Sequence, residues 1–122
     1  MRVLGVDFFD GNVEKAIKKS QKGGLVVAPS GPGLACDLPC LEAYRLALTN
    51  AELVLPDSGL LCLWLKFFGK KGILRISGLE FLKSFLDLTK FEDSSFWVMP
   101  NKSQANANIK WVERKYKCSI KS

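Results

Sequence analysis

One segment sets the architecture of this chain: Ala51-Glu52-Leu53-Val54-Leu55-Pro56-Asp57-Ser58-Gly59-Leu60. The apolar run 53–55 ends at Pro56, and residues 57–59 form a break before a second apolar run begins. This pattern predicts a short strand, a tight turn and the start of a helix. In an open α/β sheet, ligands bind at the carboxyl ends of the strands. We therefore take Asp57 as the candidate catalytic residue.

Asp57 also has a purely structural interpretation. Aspartate is one of the preferred N-cap residues, because its side chain accepts hydrogen bonds from amides that the first helical turn leaves free. Local sequence alone favours this cap, since every helix start needs one. The case for catalysis depends on the rest of the chain.

The helix predicted at residues 60–68 is apolar on nearly every side. Such a helix is typical of a protein core, and we expect Cys62 to be a core residue for the same reason. The aromatic side chains of Trp64, Phe67 and Phe68 are interpreted first as core residues. The alternative is that they contact a second subunit in a homo-oligomer.

Length and composition predict one soluble domain. The chain has 122 residues, of which 48% are hydrophobic and 25% are charged, which suits a single globular α/β domain over residues 1–122. No apolar run approaches the roughly 20 residues needed to cross a bilayer. Met1 and Arg2 lead directly into a strand-like run without a signal peptide, so we expect a cytoplasmic location.

Positive charge is concentrated in the second half of the sequence. Residues 1–60 hold six basic and seven acidic side chains, whereas residues 61–122 hold twelve and five, for a net charge of +6 overall. This asymmetry permits attraction to anionic lipid, phosphate or nucleic acid, but a solvated lysine-rich surface is favoured over any single one of these partners. Without an arginine-rich helix or interleaved aromatic strands, no nucleic-acid partner is expected.

The absence of histidine limits the available chemistry. Cys36 and Cys40 are not followed by a second metal-ligand pair, so neither a zinc site nor another metal site is expected. Serine–histidine and cysteine–histidine couples are excluded by composition, and we expect no cofactor. General base catalysis then falls to a carboxylate or, with less support, to lysine, tyrosine or cysteine.

The order of predicted elements favours an α/β fold with a Rossmann-like, mostly parallel sheet and helices on both faces. Strands are predicted at 2–6, 25–28, 53–55 and 96–99, with a short extended segment at 73–76 and another strand beginning near 117–120. Helices are predicted at 13–19, 41–48, 60–68, 77–88 and 104–115, with N-caps at Asn12 and Ser77. Loops 29–33, 56–59 and 100–103 follow strands and should gather along one edge of the sheet.

Four segments in this order resemble the WecG/TagA/CpsF family of glycosyltransferases. They are the early amphipathic helix, then Val26-Val27-Ala28-Pro29-Ser30, then the segment 51–69 with Leu-Val-Leu-Pro-Asp, then Arg75-Ile76-Ser77-Gly78. The segment 97–120 also fits the order of elements in the family. The resemblance covers nearly the whole chain, which corresponds to about the first two-thirds of a typical member.

The resemblance implies inverting, metal-independent transfer of an N-acetylmannosamine-type sugar. The donor would be a UDP-sugar, and the acceptor a sugar linked to undecaprenyl diphosphate at the inner membrane surface, where the enzyme would be peripheral. Asp57 would be the general base. Arg75 would pair with a diphosphate, and the helix starts at Ser77 and near Ser103 would donate amides to phosphate. The residues expected to bind substrate are Ser30, Ser58, Arg75, Ser77, Gly78 and Asn101.

A second interpretation is a catalytically inactive binding or assembly module derived from this family. Ala28-Pro29-Ser30 stands where the family has Thr-Pro-Asn, and Pro56-Asp57-Ser58 stands where it has Pro-Asp-Gly. These departures favour the inactive module, whereas retention of Asp57, Arg75 and Gly78 favours the enzyme.

Overall fold

The computed structural model describes residues 1–69, 73–88 and 96–116. Its strands are Arg2–Val3 (β1), Val6–Asp7 (β2), Val26–Val27 (β3) and Leu53–Val54 (β4). Its helices are Val13–Ser20 (α1), Leu38–Cys40 (α2), Glu42–Thr49 (α3), Gly59–Phe68 (α4), Gly78–Leu88 (α5) and Lys102–Tyr116 (α6). A π-helical segment, Gly33–Asp37, leads directly into α2. The longer helices lie close to their predicted positions.

β4 is the central strand of a small parallel ladder. β3 pairs with it in parallel, with Val27 opposite Val54, and the Leu55 amide donates to the Val27 carbonyl over 2.8 Å. Phe8 forms a parallel bridge to Val54. The α/β class is therefore confirmed, with one parallel and one antiparallel two-stranded sheet among the described residues. A larger, mostly parallel Rossmann-like sheet remains a prediction.

Helices pack on both faces of this ladder because side chains alternate along β4. Leu53 and Leu55 join a buried cluster that includes Ala16 of α1. Val54 belongs to a second cluster, which holds buried residues from the π-helical segment, α2, α3 and α4. The chain therefore leaves the ladder at residue 57 with a buried cluster on each face of β4.

Two predicted strands differ from the structure. The strand expected at 2–6 is an antiparallel β1–β2 hairpin, because the chain turns at Leu4 (φ 52°) and Gly5 (φ 80°). The segment 96–99 contains a single bridged residue, Phe96. Residues 73–76, predicted as a short extended segment, are not part of a strand. The strand expected near 117–120 lies outside the described residues.

The chain divides into two compact units, the first being Met1–Phe85 and the second beginning at Leu86. In the second unit, the Tyr116 hydroxyl donates to Asp87 Oδ1 over 2.8 Å, and Lys115 Nζ lies 3.1 Å from the same oxygen. These two contacts, the tyrosine first, lower the pKa of Asp87. Within the described residues, no helix is both long and apolar enough to cross a membrane.

Ser58, rather than Asp57, caps α4. Its Oγ accepts a hydrogen bond from the Leu61 amide over 3.2 Å, and the residue is buried. The interpretation of Asp57 as the cap of this helix is therefore wrong. The caps predicted for α1 and α5 are confirmed: Asn12 accepts from Lys15, and Ser77 accepts from Glu80.

The expected burial of α4 is also wrong. Leu65 is its buried residue, and Leu61 and Cys62 are partly buried against the same core cluster, which is the environment expected for Cys62. The large apolar residues elsewhere on this helix are exposed, at 76% for Leu60, 51% for Leu63, 52% for Trp64, 71% for Phe67 and 77% for Phe68. Neighbouring elements cover one face of the helix and leave the rest in solvent.

We predict that Ser58→Ala lowers the free energy of unfolding by about 1 kcal/mol, because the first turn of α4 loses its side-chain acceptor. Urea denaturation followed by circular dichroism measures this change. Ser84, inside α5, offers a matched Ser→Ala control that should leave stability equal or slightly higher, since alanine favours helix interiors. Equal stability of Ser58→Ala and wild type would contradict the assignment of the cap.

Candidate active site at the carboxyl end of β4

Asp57 lies where the chain leaves the ladder. Its amide donates back to the Leu55 carbonyl over 2.9 Å, which makes a tight turn at Pro56. The side chain is neither buried nor free, with 26% of its surface exposed. The segment from Leu53 onward thus forms the strand, turn and helix that the sequence predicts, with the carboxylate at the turn.

Two groups from later in the chain hold this carboxylate. Arg75 Nη2 lies 3.2 Å from Oδ1, while Arg75 Nε donates to the Asp57 main-chain carbonyl over 2.7 Å. The Gly78 amide, in the first turn of α5, donates to Oδ2 over 3.2 Å. Each carboxylate oxygen therefore has one protein donor and retains a lone pair for a further hydrogen bond.

Gly78 allows three chain segments to approach each other closely. A Cβ at this position would lie 3.0 Å from the Ala28 Cβ and 3.4 Å from Asp57 Oδ2. The Ile76 amide donates to the Pro56 carbonyl over 3.2 Å, which fastens the segment before α5 to the end of β4. The ends of β3 and β4 and the start of α5 consequently meet at one point, as the strand-end rule predicts.

The loop after β3 also reaches this region. A Cβ on Gly31 would lie 3.3 Å from Ser58 Oγ, so the two strand-end loops are in contact there. Ser30 Oγ accepts from the amide of Gly33, the first residue of the π-helical segment, over 3.3 Å. Ser77 Oγ caps α5 by accepting from the Glu80 amide. The predicted residues Ser30, Ser58, Arg75, Ser77 and Gly78 therefore lie in the same compact unit as Asp57.

Asn101 belongs to the second unit. Its Oδ1 accepts from the Gln104 amide over 2.9 Å, so it caps α6 from within the loop predicted at 100–103. Its role in substrate binding remains a prediction.

Cys62 is a neighbour of the site that sequence reasoning assigned to the core. Its Sγ donates to the Pro56 carbonyl over 3.6 Å. Burial is the main reason that the pKa of this thiol is raised; Arg75 opposes the shift and Asp57 adds to it. The thiol therefore stays protonated beside the site, and a protonated thiol is a poor nucleophile. In the ranges that the structure describes, no group of three or more potential His, Cys, Asp or Glu ligands could hold a metal ion.

A cavity of about 330 Å³ lies beside Ser58, which forms part of its lining. Apart from Ser58 and Gly31, its lining is apolar and includes Leu60, Leu61 and Trp64 of α4. Sequence reasoning missed this cavity because it placed α4 inside the core. The signal that could have found it is the spacing of these three residues, which puts them on one side of the helix.

Comparison with known proteins identifies the family of this chain but does not test the geometry of the site. No significant match was found among curated proteins or solved structures. A protein-family model, described as the glycosyl transferase WecG/TagA/CpsF family, matches residues 1–120 of the 122-residue chain. The chain therefore belongs to the WecG/TagA/CpsF family of glycosyltransferases.

Proposed function

We propose that this protein transfers a sugar from a UDP-sugar to a lipid-diphosphate-linked acceptor, with inversion at the anomeric carbon, in the synthesis of a cell-surface polysaccharide. Family membership supports the reaction class. The observation that carries the proposal is the position of Asp57, whose carboxylate is held at the carboxyl end of β4 and is 26% exposed. A general base needs both a fixed orientation and access to its substrate.

In the proposed reaction, Asp57 removes the proton from the acceptor hydroxyl while the hydroxyl oxygen attacks the anomeric carbon of the donor. The bond from that carbon to the donor phosphate oxygen breaks, and UDP leaves with the electron pair. Attack from the side opposite UDP inverts the configuration. Arg75 and the Gly78 amide orient the carboxylate through hydrogen bonds that leave one lone pair on each oxygen.

The remaining predicted residues are assigned to substrate binding. Arg75 is 55% exposed, and its Nη1 makes no hydrogen bond to the described part of the chain, so it can pair with a substrate diphosphate while it holds Asp57. Ser30, Ser58, Ser77 and Gly78 lie around this point and are proposed to line the path of the donor. Asn101, in the second unit, is also proposed as a substrate-binding residue.

The proposal also includes the finer features of the fold and location. The parallel arrangement of Phe8, β4 and β3 supports a Rossmann-like, mostly parallel sheet. The basic second half of the sequence supports a peripheral position at the inner face of the cell membrane. Neither a metal nor a cofactor is required by the proposed chemistry.

We expect Asp57→Asn to reduce sugar transfer by about a hundredfold or more, because the amide cannot accept the hydroxyl proton. Asparagine keeps one oxygen acceptor, so the protein should remain folded, as judged by its circular dichroism spectrum. Release of UDP from a panel of UDP-sugars, with a lipid-diphosphate sugar as acceptor, measures the activity. Asp7→Asn changes an exposed carboxylate of β2 in the same way and should retain activity. Wild-type activity in Asp57→Asn would exclude the base role.

For Arg75→Lys, we predict a kcat lower by about ten- to a hundredfold with little change in the KM for the donor. Lysine keeps the charge but cannot donate to both the Asp57 carboxylate and its main-chain carbonyl, so the base loses its orientation. Steady-state kinetics at varied donor concentration separates the two constants. A raised donor KM with unchanged kcat would instead assign Arg75 to binding of the donor diphosphate rather than to orientation of Asp57.

The second candidate function is an inactive binding or assembly module. One observation favours it: both carboxylate oxygens of Asp57 already accept hydrogen bonds from the protein. Absence of transfer across the full panel of donors, with UDP still bound in a calorimetric titration, would support this function. Turnover of any donor that depends on Asp57 would eliminate it.

A further inference from the structure

The cavity beside Ser58 has the chemistry of a hydrocarbon site. Its volume, about 330 Å³, falls at the lower end of the roughly 300–1,000 Å³ typical of ligand pockets. Leu60 is 76% exposed and Trp64 is 52% exposed, so the cavity mouth is apolar and open to solvent. Leu34 and Leu61 continue the apolar lining. Large apolar side chains left in water at a concave surface mark a binding site more often than a chance exposure.

A cation lies near the helical turn that borders the cavity. A Cβ placed on Gly59 would lie 3.8 Å from Arg75 Nε, so the guanidinium group lies beside the first residue of α4. The residues on either side of Gly59, Ser58 and Leu60, both line the cavity. Positive charge and apolar lining thus occur at adjacent residues of one helical turn. A ligand that contacts both would join an anionic group to a hydrocarbon chain.

We infer that this cavity binds the first part of the hydrocarbon chain of the lipid-linked acceptor, while Arg75 faces its phosphate groups. The inference rests on the proposed function, because it assigns one end of the proposed acceptor to a defined place. It adds a lipid-chain subsite formed by Leu34, Leu60, Leu61 and Trp64. Phe67, 71% exposed and three residues after Trp64, then lies where the chain continues toward the bilayer.

Binding of n-alkyl phosphates tests the subsite without requiring turnover. Ethyl, hexyl and decyl phosphate share one head group and differ in the chain that the cavity must accept. Below their micelle-forming concentrations, we expect affinity to rise about two- to fourfold per added methylene until the cavity is filled. Fluorescence of Trp64, in a background with Trp97→Phe and Trp111→Phe, reports occupancy. Equal affinity for the three phosphates would overturn the inference.

Two variants test whether the alkyl chain binds in the cavity. Leu60→Gln makes the mouth polar, and Ala35→Phe fills the cavity with a side chain; both positions are exposed, so folding should be retained. Each should weaken decyl phosphate binding by at least about tenfold, the loss of roughly two buried methylenes. Leu63→Gln makes the same change on the same helix outside the cavity and is the matched control. An equal loss in Leu63→Gln would show non-specific adsorption to α4 and overturn the inference.

Other occupants give different results. If a bilayer surface, rather than a single chain, is the partner, Leu63→Gln and Phe67→Gln reduce binding to anionic phosphatidylglycerol vesicles while decyl phosphate shows no dependence on Leu60. If a second copy of the chain covers the cavity, sedimentation shows a dimer that decyl phosphate does not dissociate. Either result overturns the inference.

Transfer assays separate this inference from the proposed function. We expect kcat/KM to be higher for a long-chain acceptor than for a short-chain one. Leu60→Gln should reduce this preference for the long chain by at least about tenfold, as in the binding measurement. Equal use of the two acceptors by wild type would overturn the lipid-chain subsite and leave the transferase standing. Chain-dependent binding of alkyl phosphates without any sugar transfer would overturn the transferase and leave an amphiphile-binding cavity.

Discussion

The arrangement of this site depends on the contacts that the Asp57 carboxylate makes. This carboxylate joins the end of β4 to Arg75 and to the first amide of α5, two groups that follow it by 18 and 21 residues. Both partners of the ion pair are partly exposed, so the pair adds at most about 1 kcal/mol to stability. Its importance is therefore positional: it fixes where a negative charge lies relative to two strand ends and two helix starts.

Local patterns predicted the parts of this arrangement that depend on neighbouring residues. The apolar run before Pro56 became β4, and the capping pattern at Ser77 became the start of α5. The parallel pairing of β3 and β4 followed from alternating strands and helices. The turn at Leu4 was not predictable in this way, because a leucine with positive φ carries no sequence signal and is rarely found. The arginine on Asp57 was predicted as a substrate ligand; its contact with the carboxylate depends on packing that sequence alone does not contain.

The exposure of α4 was missed for a more general reason. Hydrophobicity measures the tendency of a side chain to leave water, but it does not say which surface will receive that side chain. A helix that is apolar all round needs neighbours on every side to be buried, and here the core accepts the face that holds Leu65. Phe67 and Phe68 remain more than two-thirds exposed. The same composition therefore fits a core helix and a helix that meets an apolar ligand.

Ser58 connects these two properties of the molecule. Its hydroxyl caps α4, its residue follows Asp57 directly, and its side chain forms part of the cavity wall. One buried residue therefore both starts the helix and lines the cavity, and it directly follows the carboxylate that we propose as the base. In the proposed binding mode, the acceptor chain occupies the cavity and the phosphate groups meet Arg75, whose Nε would lie 3.8 Å from a Cβ on Gly59. A diphosphate between lipid and sugar is chemically suited to this arrangement, since it places negative charge beside the guanidinium group that also contacts Asp57.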